Sequence, residues 1–336
     1  MSLNDAAAAA SHPTLYGVKK AAERLRRHIA PTPLYRSETL SRALAADVWV
    51  KVETATPIAS FKLRGALNHL LLAQAAGPVA SAATSSTGNH GQGVAYAARL
   101  LGMQADIFLP EGSPAVKQAM IRLFGATLHV GGHDIDDAKE RARAFCRDSG
   151  GAFVDDGESV AVIEGAGTVG YEIGGALADI DYLFAPMGSG SLVAGAAIGL
   201  KGAQPRARAI AVQSEGSPAM VESFRARRPI ERPVDSIGDC IVCRVPATTA
   251  LDALIAHVDD AMLVPDTDLL SAMHALLAWA HLLVEPGAAA GVAGAWARRK
   301  ELAGKRVVIL LTGANADAAM IGRALATPPL FDPTAG

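Results

Sequence analysis

Short β-branched runs alternate with longer alanine- and leucine-rich stretches along most of the 336-residue chain, and this alternation is what most limits its fold. Strands are expected at Asp47–Lys51, Ala105–Leu109, Thr127–Val130, Tyr182–Ala185, Ala209–Gln213 and Arg306–Leu311. Helices are expected at Gly65–Ala76, Gly91–Leu101, Pro114–Phe124, Ile135–Asp148, Leu192–Leu200, Asp266–Leu283 and Ala288–Lys300. Strand–helix–strand succession predicts an α/β fold with a mainly parallel sheet covered on both faces. Several strands pass through glycine or serine directly into a helix. That lines one sheet edge with backbone amides and helix N-termini, where α/β proteins bind ligands.

Length suggests roughly two domains at ~150 residues each, although no low-complexity linker separates them. Half of the residues are hydrophobic and 19% are charged, which excludes a largely disordered chain. Three cysteines exclude a small disulfide-stapled scaffold. A net charge of −2 gives no electrostatic reason to expect nucleic acid or an anionic membrane as a partner. The run Ala6–Ala10 follows Asp5 and lacks a basic flank, so no secretory signal is expected. The apolar stretch Ala275–Val284 is broken by His281 and closed by Glu285-Pro286, short of the ~20 residues that a membrane span needs. The expectation is a cytoplasmic protein with a small-molecule ligand. Cys240-x-x-Cys243 has a redox or half-zinc spacing but no second pair and no nearby histidine set. Two small buried residues on a strand is the preferred reading.

The chain carries 33 glycines, and two glycine-rich segments compete for the role of ligand loop. Gly165-Ala166-Gly167-Thr168-Val169-Gly170 is a literal G-x-G-x-x-G after the apolar run Val160–Ile163, the pattern of a NAD-binding oxidoreductase. It lacks the acidic residue about 20 positions further on that would hold a ribose. Gly188-Ser189-Gly190-Ser191-Leu192 follows a strand and opens a helix. Its small residues expose successive N–H groups and hydroxyls, which either cradle a phosphate or simply make a tight turn. Ser60-Phe61-Lys62-Leu63-Arg64-Gly65 places one of only nine lysines, against 22 arginines, between two apolar side chains. An apolar setting would favour a neutral amine able to form an imine, whereas a snorkelling surface lysine is the plainer alternative. Ser86-Thr87-Gly88-Asn89-His90 precedes a helix and offers hydroxyl, amide and N–H donors for a carboxylate, or a capped turn. A phosphate cradle with an imine-forming lysine is what pyridoxal phosphate requires.

Together these segments resemble the fold-type II pyridoxal-phosphate-dependent enzymes, in the serine/threonine dehydratase and serine racemase branch. The similarity runs from Pro31-Thr32-Pro33-Leu34 through Ser60–Ala66 and Ser86–Gly91 to Leu311-Thr312-Gly313-Ala314-Asn315, and Gly165–Ile173 looks like a family segment that precedes a helix. The resemblance implies two open, twisted, mainly parallel sheets flanked by helices, as in the tryptophan synthase β-like fold, with the cofactor in the cleft between a large and a small domain. It places residues 1–53 with 153–336 in the large domain and 54–152 in the small one. It implies that Lys62 forms the imine and takes the substrate α-proton, with Phe61 beside it. Gly188, Ser189, Gly190, Ser191 and Leu192 would bind the cofactor phosphate, and Asn89 its phenolic oxygen. Glu285 would lie near the ring and Thr312 opposite the pyridine nitrogen. Ser86, Thr87, Gly88, Asn89 and His90 would line the substrate carboxylate. A neutral hydroxyl at Thr312 makes the ring a weaker electron sink than an aspartate would, which suits prompt loss of a β-leaving group.

The reaction so implied is α,β-elimination from a β-hydroxy amino acid such as threonine or serine, giving a 2-oxo acid and ammonia. Departures from the family pattern bear on the details. Ser189 and Ser191 interrupt a loop that is usually all glycine. Thr87 stands where racemases carry a serine that acts as second base. Gln213 and Ala219 replace carboxylates that hold a divalent cation in some relatives, so no metal is expected. Thr56, Ala59 and Cys240 alter the pocket edge, which keeps phenylserine and 3-hydroxyaspartate open beside threonine and serine. Racemisation, β-replacement and a ligand-binding protein without turnover are the other readings. Twenty-one residues follow Asn315, so no regulatory domain is expected, and a homodimer is the family expectation.

Overall fold

The computed structural model of the chain describes residues 12–113 and 115–333; the Ala6–Ala10 run and Pro114 lie outside the described residues. Among the described residues, ten strands form two sheets. β1 (Leu34–Arg36), β2 (Asp47–Val52), β10 (Arg306–Leu311), β7 (Tyr182–Pro186), β8 (Arg208–Ser214) and β9 (Asp260–Val264) lie side by side in that order. β5 (Thr127–Val130), β4 (Gln104–Leu109), β3 (Ser81–Ser85) and β6 (Ala152–Phe153) make the second sheet. Every neighbouring pair is parallel except β1 with β2.

The apolar runs of the sequence follow from this burial. In β10, Val307, Ile309 and Leu311 face one hydrophobic cluster and Val308 and Leu310 face another, so both sides of the strand are dry. All six expected strands are present with ends shifted by at most one residue. Helix ends moved more: the stretch expected at Asp266–Leu283 stays α-helical to Ala275, makes a π-turn over Leu276–Ala280 and stops at His281, whose φ is +56°. The stretch expected at Ala288–Lys300 divides into a 3-10 turn at Pro286–Ala289 and helices Ala290–Ala297 and Arg299–Leu302.

The G-x-G-x-x-G segment is not a loop. Helix Val160–Ala176 starts at Ser159, whose hydroxyl accepts from Val162 N, so Val160–Ile163 is its first turn and Gly165–Ile173 lies within it rather than before a helix. The glycines let backbones touch. A Cβ at Gly165 would stand 2.6 Å from the Arg64 carbonyl oxygen, and one at Gly167 would stand 2.8 Å from the carbonyl oxygen of Gly195. A Cβ at Gly170 would run into the Ala196 carbonyl. The helix is therefore wedged between helix Lys62–Ala76 and helix Ser191–Lys201, which removes the basis for a nucleotide fingerprint. Gly170→Ala is expected to cost about 3 kcal/mol, the upper end for overpacking a close contact. Gly175, in the same helix, has nothing within 4 Å of its Cβ position. Gly175→Ala should instead stabilise by ~0.5–1 kcal/mol through helix propensity. Urea unfolding midpoints of the two variants check the pair; equal midpoints would contradict the backbone contact.

Cys240 sits on the 3-10 turn Asp239–Ile241 and Cys243 in the loop after it, both half-buried free thiols, not on a strand as the sequence suggested. No helix among the described residues is long and apolar enough to cross a membrane.

Candidate active site

Three parallel strands deliver the site at their C-terminal ends. β7 leads through Met187 into Gly188–Gly190 and helix Ser191–Lys201. Gly190 has φ +94°, and a Cβ there would lie 2.5 Å from Leu254 Cδ1, so the turn is built for glycine. A Cβ at Gly188 would stand 3.1 Å from Ile241 Cα. The loop is thus a smooth backbone cradle at a helix N-terminus, the arrangement that takes an anion. The two added serines lie side by side, Ser189 Oγ 2.9 Å from Ser191 Oγ, and both hydroxyls donate to Asp156.

β10 leads into Thr312 and Gly313. Ser60 pairs with Gly313 in an isolated bridge, and Phe61 N donates to the Thr312 carbonyl at 3.1 Å. This seam fixes the start of helix Lys62–Ala76, whose first residue is the lysine. Two residues on, the buried Arg64 clasps two other segments. Its guanidinium donates to Glu53 at 2.7 and 3.0 Å, to Glu172 at 2.6 and 3.0 Å and to Thr168 at 3.0 Å. Burial alone would lower the guanidinium pKa; the Glu53 and Glu172 carboxylates outweigh it and raise it.

β3 leads into Ser86–Gly88 and helix Asn89–Leu100. Gly88 N donates to Ser86 Oγ at 3.2 Å. A Cβ at Gly93 would stand 3.0 Å from the Lys62 carbonyl, so this helix lies directly on the backbone of the lysine. Asn89 is buried: its Nδ2 donates to Glu285 Oε1 at 2.6 Å, and its Oδ1 accepts from Asn315 at 2.6 Å. His90 Nε2 donates to the Val154 carbonyl at 3.0 Å, which turns that edge away from the Ser86–Gly88 hydroxyls and amides.

The lysine itself is not in the apolar setting that its neighbours suggested. Its Nζ lies 5.0 Å from the Phe61 ring centroid, but it is also ion-paired with Asp156, 2.6 Å from Oδ1. Asp156 accepts from Ser189 at 3.1 Å as well and lies 3.6 Å from His90 Nδ1. Burial acts to raise the Asp156 pKa, and the Lys62 ammonium, helped by the Ser189 hydroxyl, overrides it, holding the carboxyl ionised well below the usual range. Asp156 and Asn315 went unrecognised in the sequence. The Asp155-Asp156 pair after a short strand was the available signal for the first.

A cavity of about 560 Å³ opens beside Lys62, Ser86, Asn89, Asp156 and Ser189, and a narrow slot adjoins it between Phe61, Gly188, Leu192 and Thr312. Lys62 lines both, so an amine, a glycine-serine loop at a helix N-terminus and the Thr312 hydroxyl border one region, the donor set that a phosphorylated aldehyde requires. Gln213 is spent on Ile241 O and Val221 N, at 3.4 and 3.3 Å, and offers no cation ligand. Burial and the neighbouring Glu285 push the Cys240 thiol well above its ordinary range.

The family described as pyridoxal-phosphate dependent enzyme matches residues 25–313. The chain is 32% identical to the L-threonine ammonia-lyase of Thermotoga maritima over 92% of its length and 77% of the relative. It is 30% identical to the L-threo-3-hydroxyaspartate ammonia-lyase of Saccharomyces cerevisiae, covering 91% of this chain and 94% of the relative. Among solved structures it superposes on the processed form of threonine deaminase isoform 2 from Solanum lycopersicum with a TM-score of 0.85 and 26% identity, covering 94% of this chain and 96% of that one. A two-sheet α/β chain with a lysine set between a glycine-serine anion cradle and a buried hydroxyl belongs to the pyridoxal-phosphate-dependent enzymes. Within them it is a member of the fold-type II serine/threonine dehydratase family, with pyridoxal 5'-phosphate as its cofactor.

Proposed function

We propose that the chain is an ammonia-lyase that eliminates the hydroxyl of a small β-hydroxy amino acid, threonine or serine first among them. The observation that carries this reading is the convergence of Lys62, the Gly188–Leu192 cradle and Thr312 on one slot. Lys62 holds the cofactor and, once displaced by the substrate amine, takes the proton from Cα. Gly188, Ser189, Gly190, Ser191 and Leu192 hold the phosphate, Phe61, Asn89 and Glu285 border the ring, and the Thr312 hydroxyl faces the ring nitrogen. Bound there, pyridoxal phosphate supplies the electron sink that makes the α-proton removable. Ser86, Thr87, Gly88, Asn89 and His90 surround the substrate carboxylate through hydroxyl, amide and backbone donors. Thr87 is the second acid–base group in this reading, on the face opposite Lys62.

In net terms the α-proton and the β-hydroxyl leave as water, the enamine so formed takes up one water, and nitrogen departs as ammonia. Residues 1–53 with 153–336 act as the larger unit and 54–152 as the smaller, a division that the two sheets support. A cytoplasmic homodimer completes the reading on family resemblance. The test is direct: cofactor-loaded protein with L-threonine or L-serine should release 2-oxo acid and ammonia in equal amounts. Failure with every β-hydroxy amino acid tried would overturn the assignment.

A further inference from the structure

The loop between β6 and helix Val160–Ala176 holds two adjacent carboxylates with different partners. Asp155 accepts from Gly157 N and Glu158 N at 3.0 and 3.1 Å and pairs with Lys139 at 2.9 Å and Arg143 at 3.1 Å. With Asp155 so anchored, Asp156 points into the cavity, where Lys62 is its cationic partner and Ser189 Oγ its hydroxyl donor. Across from it, the buried His90 shows the cavity a ring nitrogen with no hydrogen-bond partner, Nδ1. Because Nε2 donates to the Val154 carbonyl, Nδ1 is the bare, accepting nitrogen of the neutral ring. Burial and the Lys62 charge keep that ring from protonating, against the pull of Asp156, Asp155 and the Val154 carbonyl; the neighbouring His69 ring, itself lowered to about 4, adds no positive charge. Two cations at the cavity mouth are already committed, Lys139 to Asp155 and Arg244 to Asp136 and Glu231.

We propose that Asp156 and His90 Nδ1 form a wall of acceptors that admits a substrate side chain carrying a hydrogen-bond donor and turns away one carrying a second carboxylate. This rests on the ammonia-lyase reading and narrows its substrate class. Lys62 is bonded to the cofactor while the substrate enters, and once displaced it must be an uncharged amine to take the α-proton, so in neither state does an ammonium offset Asp156. Burial still keeps the His90 ring neutral, and a half-buried carboxylate and a bare imidazole nitrogen are left wanting donors. A hydroxyl, amide or ammonium group satisfies them. A carboxylate satisfies neither and places like charges together, which a desolvated site penalises strongly. The chain would then be a dehydratase for neutral β-hydroxy amino acids and a poor one for 3-hydroxyaspartate, despite its likeness to a relative named for that substrate.

L-asparagine and L-aspartate have nearly the same shape, differ in charge and lack a β-hydroxyl, so their binding can be read without turnover from the absorbance of the bound cofactor. In the wild-type holoenzyme, asparagine should perturb the spectrum at a concentration at least ~10-fold lower than aspartate, the smallest ratio expected of a like-charge contact. In Asp156→Asn the two should fall within about 3-fold, because the repelling charge is gone. Equal binding in the wild type, or an unchanged ratio in the variant, would overturn the wall. The wild-type comparison stands even where the variant does not fold. If serine and threonine are turned over while the ratio fails, only this inference falls; if no amino acid perturbs the cofactor, the ammonia-lyase reading falls with it.

Discussion

Lys62→Ala is expected to abolish turnover of L-threonine and L-serine and to remove the absorbance near ~410 nm that marks a lysine imine in the loaded wild-type protein. The effect should reach at least about three orders of magnitude in kcat, because in the proposed reaction Lys62 is both the covalent anchor and the base that takes the α-proton. The fold should survive. The seam at Ser60–Gly313 and the Phe61 N to Thr312 O bond, not the lysine side chain, fix the start of the helix. Lys62→Arg separates chemistry from structure: it keeps a cation against Asp156 but cannot form an imine, so it should be equally inactive. Activity within tenfold of wild type in either variant would remove Lys62 from the centre of the site.

The largest loss of stability is expected from Arg64→Met. Arg64 is 1% exposed, and its removal leaves Glu53, which is fully buried, without its guanidinium. Breaking a buried pair on one side costs about 3–5 kcal/mol, since the surviving charge stays desolvated and uncompensated. Glu172 suffers less because Lys51 still reaches it. The double variant Arg64→Met/Glu53→Gln should recover part of the loss, as the buried charge is then gone from both sides. Chemical denaturation of the single and double variants reads this. An Arg64→Met protein as stable as wild type would show that the clasp contributes nothing net. The consequence reaches the site, because Arg64 is two residues from Lys62 and ties the helix start to Glu53 and Glu172.

Much of this architecture was legible in the sequence, for reasons that differ by element. β10 and β2 were readable because strands buried on both faces show as continuous apolar runs bounded by polar residues. β3 was not: Ser81-Ala82-Ala83-Thr84-Ser85 is made of small residues and has neither a continuous apolar run nor a clear alternation, so its pattern does not mark a strand. β9, Asp260–Val264, contains alanine, methionine and leucine, which favour helices locally and are overridden by the sheet. The Gly188–Leu192 loop and Lys62 stood out because each sits in a short segment whose residue types match one chemistry. Asp156 was missed because its partners Lys62, His90 and Ser189 lie far away in the chain, and only tertiary structure brings them together. The Gly165–Gly170 segment misled for a physical reason: glycine is needed wherever backbones come close, and two helices in contact need it as much as a phosphate does.

The glycine-faced helix Val160–Ala176 also works as a ruler. On one side it touches the carbonyl of Arg64, two residues from the lysine; on the other it touches the carbonyls of Gly195 and Ala196, one turn beyond the start of the helix that follows the glycine-serine loop. Side chains hop between rotamers, whereas backbone resting on backbone has nothing to rearrange. The span from amine to anion anchor is therefore gauged by three rods laid flush against one another, and thermal motion of side chains adds little error to it. A bound molecule reaching from one mark to the other finds its length already cut.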